Sequence, residues 1–137
     1  MSDNLDRKLI KTLKKNSRRS LIELSDELYA PESTIRYRIN SLIKKGVITK
    51  FTIETSGPEL SCLIGIKINT KANIKKLYEN FLEKGLMEYI LETTGEFDCV
   101  GMIKDNDIEK INGIIDQVRS ESDVLETKSF MVLKEYR

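Results

Sequence analysis

SLIELSDELYAPESTIRYRINSLIKKG, residues 20–46, decides the fold of this chain. It opens with Ser20 and Glu23, an S-x-x-E capping box that satisfies two orphan backbone donors at a helix start. Leu21, Leu24 and Leu28 give that helix a short apolar face. Tyr29-Ala30-Pro31 ends it, because the residue before proline avoids the helical region. A further helix opens at Pro31 or Ser33 and buries Ile35, Ile39, Leu42 and Ile43. Gly46 follows, where a left-handed residue closes a helix. Helix, short turn, helix is the layout of a helix-turn-helix, which places its second helix in the major groove of duplex DNA.

Projection at roughly 100° per residue sorts the surface of that second helix. Tyr37, Ser41 and Lys44 point away from the buried stripe. Ser33, Thr34 and Asn40 also point outward, and Arg36 and Arg38 flank the stripe. Hydroxyl and amide groups read base edges, and guanidinium groups bind guanine or phosphate. Residues 33–46 contain no acid, unlike an ordinary solvated helix face. The expected groove set is Ser33, Thr34, Arg36, Tyr37, Arg38 and Asn40, with Lys44 beside it. Arg18, in the loop Asn16-Ser17-Arg18-Arg19, is the expected backbone contact.

Working outward, Leu5, Leu9, Ile10 and Leu13 make one stripe of a helix over about 4–16. On the other side, Val47–Ile53 is β-branched and reads as a strand, the wing of a winged helix-turn-helix. Glu54-Thr55-Ser56-Gly57-Pro58-Glu59 reads as a linker. Charge flips there. Residues 1–52 carry 12 Lys or Arg and 6 Asp or Glu, a net of +6, while residues 53–137 carry 11 and 16, a net of −5. A basic unit suits a polyanion, although on charge alone the surplus is equally a solvated face.

Beyond the linker the periods run strand, helix, strand, strand, helix, strand. Leu60, Cys62, Ile64, Ile66 and Ile68 alternate with their neighbours. Ile74, Leu77, Tyr78, Phe81 and Leu82 have helical spacing, and Gly85 stops them. Met87–Thr93 and Phe97–Lys104 are strands around a tight turn at Thr94-Gly95-Glu96. Ile108, Ile111, Ile114, Ile115 and Val118 form a helix, and Val124–Leu133 the last strand. The class is α+β: a winged helix-turn-helix over 1–53, a linker over 54–59, and a ferredoxin-like βαββαβ domain over 60–137. Leu63, Ile90, Val100, Met102, Leu125, Met131 and Leu133 are expected on the face the helices leave open, a patch that marks an interface and predicts a dimer.

At 137 residues and 39% apolar, the chain has room for two small cored domains. No apolar run approaches the ~20 residues of a membrane span, and MSDNLDRKLI has no signal-peptide core, so a cytoplasmic protein without a membrane partner is expected. With no histidine, no CxxC, no phosphate loop and no dinucleotide turn, catalytic residues, metal and cofactor are all expected to be none, and an enzyme is not expected. Cys62 and Cys99 read as buried thiols.

With both halves placed, the chain resembles the Lrp/AsnC, or feast/famine, family of transcriptional regulators. The landmarks are Leu5-Asp6-x-x-Leu9-Ile10-x-x-Leu13, Ser20-x-x-Glu23-Leu24-Ser25, Ser33-Thr34-Ile35-x-x-Arg38-Ile39 and Leu42-x-x-x-Gly46-Val47-Ile48. A further one, Thr94-Gly95-Glu96-Phe97-Asp98, looks like the family's Gly-x-[Phe/Tyr]-Asp turn. Their order along the whole length carries the resemblance. It implies a homodimer joined by the βαββαβ domains and assembled into higher oligomers, with a small-molecule effector, commonly an amino acid, where those domains meet. The family's turn maps the effector site onto Gly95, Phe97 and Asp98, with Lys104, Asp105 and Thr127 as outer candidates. On the residues alone, the favoured reading is that Gly95 only serves the hairpin and Asp98 only caps it. Two readings of function follow: a sequence-specific regulator that answers to an effector, and a structural DNA-compacting oligomer with no ligand response.

Overall fold

The computed structural model describes residues 3–57 and 59–137; Pro58, inside the expected linker, lies outside them. The chain divides after Thr55 into two compact units.

In the first unit, α1 (Asn4–Lys15) starts at Asp3, whose carboxylate accepts the Asp6 N–H at 3.0 Å. That bond satisfies one of the donors a helix start leaves bare. α2 (Leu21–Leu28) starts in the same way, with the Ser20 hydroxyl accepting the Glu23 N–H at 3.1 Å. α3 (Glu32–Lys44) follows Pro31, which sits at the N-cap position. Leu9, Leu13, Leu24, Ile35 and Leu42 form the core, with Ile39 and Ile48 packed partly buried against it. Ile43, expected in that core, is 44% exposed. It lies one step around the helix from Leu42, and the stripe closes without it.

Gly46 closes α3 at φ +76. Its N–H reaches the Ile43 carbonyl at 3.0 Å, and the Val47 N–H reaches Leu42 at 2.9 Å. This is a Schellman closure, which a left-handed glycine permits. The strand expected over 47–53 is not formed: the Val47 and Ile48 N–H groups both turn back to the Leu42 carbonyl, and the segment has no ladder partner among the described residues. β-Branched residues favour an extended backbone, but a strand needs a neighbour to take its hydrogen bonds.

In the second unit, β1 (Leu60–Ile68), α4 (Ile74–Glu83), β2 (Tyr89–Glu92), β3 (Cys99–Asp105), α5 (Ile108–Arg119) and β4 (Val124–Met131) follow the expected order. The sheet runs β2-β3-β1-β4, and every pairing is antiparallel. Cys62, Ile64, Ile66 and Ile68 project from β1 onto Leu77 and Phe81 of α4 and Ile111, Ile115 and Val118 of α5. Both cysteines are buried, and burial pushes both thiols up.

The open face differs in membership from the expectation. Leu63, Val100 and Met102 lie there as expected, because Leu63 stands opposite Met102 and Gly65 opposite Val100. Ile90 stands opposite Gly101 and packs into the core, so Tyr89 and Leu91 face outward instead. Met131 stands opposite Cys62 on the helix side, and Phe130, opposite Leu63, takes the open position. Leu125 is the extra residue of a bulge, and Leu133 lies beyond β4. The physical reason is parity. A register shifted by one residue exchanges a strand's faces, and pairing Ile90 with Gly101 of β3 turns Ile90 to the helix side and Tyr89 to the open side.

Tyr29 is the one non-glycine residue at positive φ among the described residues (φ 53, ψ 47), and it is 95% exposed. The left-handed region costs an L-residue about 1–2 kcal/mol, and burial of the ring repays none of it here. Tyr29→Gly should raise stability by about 1 kcal/mol in urea denaturation, while Tyr29→Ala should give no gain. Equal stabilities for the parent and the glycine variant would show that the turn carries no strain.

Candidate nucleic-acid interface and effector turn

α3 buries Ile35 and Leu42 and leaves Ser33, Arg36, Tyr37, Asn40 and Lys44 exposed, with Thr34 half-buried. Tyr37 is 71% exposed. None of these side chains has a hydrogen-bond or ion-pair partner among the described residues. Their donors and acceptors are therefore unspent. Glu32, in the first turn, complements the helix dipole and lies at the end of this stripe. Arg18 is exposed on a loop pinned by its own N–H, which donates to Asn16 Oδ1 at 3.0 Å.

Arg38 is placed differently. Its guanidinium turns back to α1, donating to the Asp3 carboxylate and to Asp6 Oδ1 at 3.3 Å. Asp6 is 6% exposed, so this carboxylate is buried with a cationic partner, as buried charge requires. The Asp3 carboxyl is held below the usual carboxylate range, first by the Asp6 N–H and then by Arg38. A depressed carboxylate lends stability above its unfolded pKa and loses it as pH falls through the folded value, so the clamp is intact at neutral pH and fails only in acid. Sequence reading missed this clamp. An acid in the first turn of a helix already has a local reason to be there, and no short-range pattern links it to an arginine 32 residues on.

At the other candidate site, Gly95 has φ +107, which a side chain resists. Thr93 closes the turn, its N–H donating to the Asp98 carbonyl at 3.0 Å and its hydroxyl to the Phe97 carbonyl at 2.9 Å. Asp98 Oδ2 accepts the Ile68 N–H at 2.7 Å, so one carboxylate oxygen already has a structural task. Phe97 lies on Gly65 in the open sheet face; a Cβ on Gly65 would come within 2.6 Å of the ring. The Lys128 ammonium stands 5.9 Å from that ring's centroid and 2.9 Å from Glu96 Oε1. This bond holds the Glu96 carboxyl below its usual range.

Gly95, Phe97 and Asp98 thus come together, joined by Gly65, which sequence reading passed over as a small residue in an alternating strand. Thr127 lies at the same end of the sheet, opposite Ile66, but its hydroxyl accepts from Arg119 Nε at 2.9 Å. Lys104 and Asp105 lie at the far end of β3, about 20 Å along the strand at ~3.3 Å per residue, so one chain does not bring them to the turn. Asp105 accepts the Asp107 N–H at 3.2 Å. Among the described residues, no group of His, Cys, Asp or Glu is arranged to hold a metal ion.

A winged helix-turn-helix DNA-binding family model matches residues 2–49. Across the two units, the chain is 33% identical over 133 residues to the HTH-type transcriptional regulator LysM of Sulfurisphaera tokodaii, covering 96% of this chain and 95% of that protein. The chain belongs to the Lrp/AsnC family of transcriptional regulators. AsnC of E. coli superposes with a TM-score of 0.75 at 25% identity, covering 98% of this chain and 94% of that one. The transcriptional regulator NMB0573 of Neisseria meningitidis, solved as an L-Met complex, superposes with a TM-score of 0.86 at 22% identity, covering 100% and 93%. This Lrp/AsnC chain is accordingly a DNA-binding transcriptional regulator.

The two arginines of α3 separate experimentally. Arg36→Gln should leave the melting temperature unchanged and lower the salt slope of DNA binding by about one. Arg38→Gln should lower the melting temperature and leave the slope alone. Anisotropy titrations across a salt series, paired with thermal melts, read both. A slope loss of about one in Arg38→Gln with an unchanged melt would move Arg38 to the DNA.

Proposed function

We propose that this Lrp/AsnC regulator reads duplex DNA sequence with the outer face of α3, works as a homodimer joined through the open sheet face, and answers to a zwitterionic amino acid at the Gly95–Asp98 turn. The observation that carries the reading is the unspent face of α3, with Tyr37 and Asn40 at its centre and Arg36 and Lys44 beside them. In water such groups gain nothing by their arrangement; in a major groove they meet base edges and phosphates.

The dimer is argued from the open sheet face, where Tyr89, Leu91 and Phe130 are 44%, 55% and 54% exposed beside Leu63, Val100 and Met102. Water in contact with that patch is costly, and a second copy covers it two-fold. Two-fold pairing also suits DNA, because one helix reads few bases and two half-sites restore specificity. Further assembly of dimers follows the family pattern, and the cytoplasm is the compartment that suits the work.

The amino-acid reading rests on charge pairing and on the L-Met complex of NMB0573. Asp98 has one oxygen engaged by Ile68, which leaves the other for an ammonium group. The amides around Gly95 suit a carboxylate. Phe97, seated on Gly65, lends an apolar surface to the ligand's side chain.

Operator duplexes selected in vitro from random sequence test the reading of α3. Tyr37→Ala and Asn40→Ala should each cut discrimination between operator and random DNA by about 1–3 kcal/mol. Full discrimination in both variants would move base reading elsewhere. A thermal-shift screen of the twenty amino acids tests the effector. A ligand at 100 times its Kd should stabilise by about 2.7 kcal/mol, and Asp98→Ala should abolish that gain. An undiminished shift in Asp98→Ala would leave Asp98 with its bond to Ile68 alone.

A further inference from the structure

A recognition helix meets base edges with its N-terminal residues. The first residue of α3 is Glu32, which is exposed and is followed by the exposed Ser33. Glu32 is the one acid among residues 28–53, which hold five Lys or Arg. Acids near the start of other helices have local tasks. Asp6 and Glu23 stand third in α1 and α2, and their N–H groups donate to the Asp3 and Ser20 side chains. The Glu109 N–H of α5 donates to Asp107. Glu32 follows Pro31, an N-cap with no side-chain hydrogen bond, so no capping pair accounts for its place. The helix dipole favours a carboxylate there, but that gain is small and screened by salt. A carboxylate carried between two strands of phosphates meets several like charges at once, and one helix end does not offset them.

We propose that Glu32 determines specificity, its carboxylate accepting a hydrogen bond from the exocyclic amine of one cytosine in the operator. The inference rests on α3 being the reading helix. An ionised carboxylate only accepts. In the major groove guanine presents two acceptors and thymine one, so both repel it. Adenine presents a donor beside an acceptor. Cytosine alone presents a donor with no acceptor on its edge, and it is therefore the base a carboxylate selects. Arg36 stands one turn further along the same side of α3 and is also exposed. Among the described residues no bond joins the two, although Lys75 and Glu79 pair at the same spacing in α4. Arg36 is thus free to meet a phosphate and to soften the repulsion around Glu32, while Glu32 keeps its oxygens for the base. The repulsion itself sharpens the choice. A duplex with no cytosine at that position gains nothing against it, so Glu32 lowers affinity for random DNA as it raises preference.

The test uses the full chain, an operator selected in vitro from random DNA, and duplexes in which each operator base pair is replaced in turn. The parent should require a cytosine at one position, and its replacement by thymine should weaken binding about tenfold or more. In Glu32→Ala that penalty should vanish at that position while the other positions keep theirs, and affinity for random DNA at low salt should rise. Glu32→Gln, whose amide both donates and accepts, should move the preference at that position toward adenine. Glu32→Asp keeps the charge at the helix end and shortens the reach, so it should melt with the parent and lose the cytosine preference. An operator that needs no cytosine overturns the proposal. So does Glu32→Ala with every positional penalty intact, or with all of them reduced in step with a lower melting temperature, since an acid that serves the dipole alone acts on no single base. Failure of the reading helix itself shows separately, as full discrimination retained in Tyr37→Ala and Asn40→Ala.

Discussion

The first unit depends on α3 burying one stripe and leaving the other bare. Leu9, Leu24, Ile35 and Leu42 are each 0–2% exposed, and burial of such a side chain is worth ~1.5–3 kcal/mol. That core fixes the rotation of α3 about its own axis, and the rotation decides which residues reach outward. Apolar packing alone tolerates small slips. The clamp of Arg38 on Asp3 and Asp6 is directional, and it ties the middle of α3 to the start of α1. The same helix thus spends one arginine on its own position and leaves the other, Arg36, for a partner.

A similar division runs through the sheet. β1 sends Cys62, Ile64, Ile66 and Ile68 into the helix-covered core and Leu63, Gly65 and Lys67 to the open side. The open face then has two characters. Around Leu63, Met102 and Phe130 it is apolar, suited to a second copy of the sheet. Toward the Gly95 turn it carries Lys67 paired with Glu126 and Lys128 paired with Glu96, with Phe97 lying over Gly65. A ligand at that end adjoins the surface across which subunits would join, and effector binding and assembly would then share one free-energy balance. Any coupling of this kind is reciprocal.

Sequence periodicity was sufficient for the order of the helices and of the four sheet strands, because Leu9, Ile35, Ile64, Phe81 and Ile111 each sit in an unbroken helical or alternating pattern. It was insufficient wherever the answer lay in long-range pairing. Nothing local in Met87-Glu88-Tyr89-Ile90 fixes which side of β2 faces the helices, so the parity of Ile90 and Tyr89 was settled by the register against β3. The strand expected at 47–53 had the right composition and no neighbour among the described residues to pair with. Arg38 looked like its neighbour Arg36 until the fold brought two carboxylates to it. Gly65 carried no signal of its own, because its meaning lies in a ring that folds over it from 32 positions along the chain. Lys104 and Asp105 were drawn toward the turn as plausible charges, and the length of β3 sets them apart from it.

The central claim is that the bare stripe of α3 is the part of the molecule that meets bases. Backbone amide and side-chain NMR signals of the full chain, followed as a selected operator duplex is titrated in, address it residue by residue. The largest changes should fall on Ser33, Tyr37 and Asn40, while the Arg38 guanidinium signals stay near their free positions because the clamp persists. Unchanged signals along that stripe, with the operator bound and the changes concentrated in other elements, would contradict it.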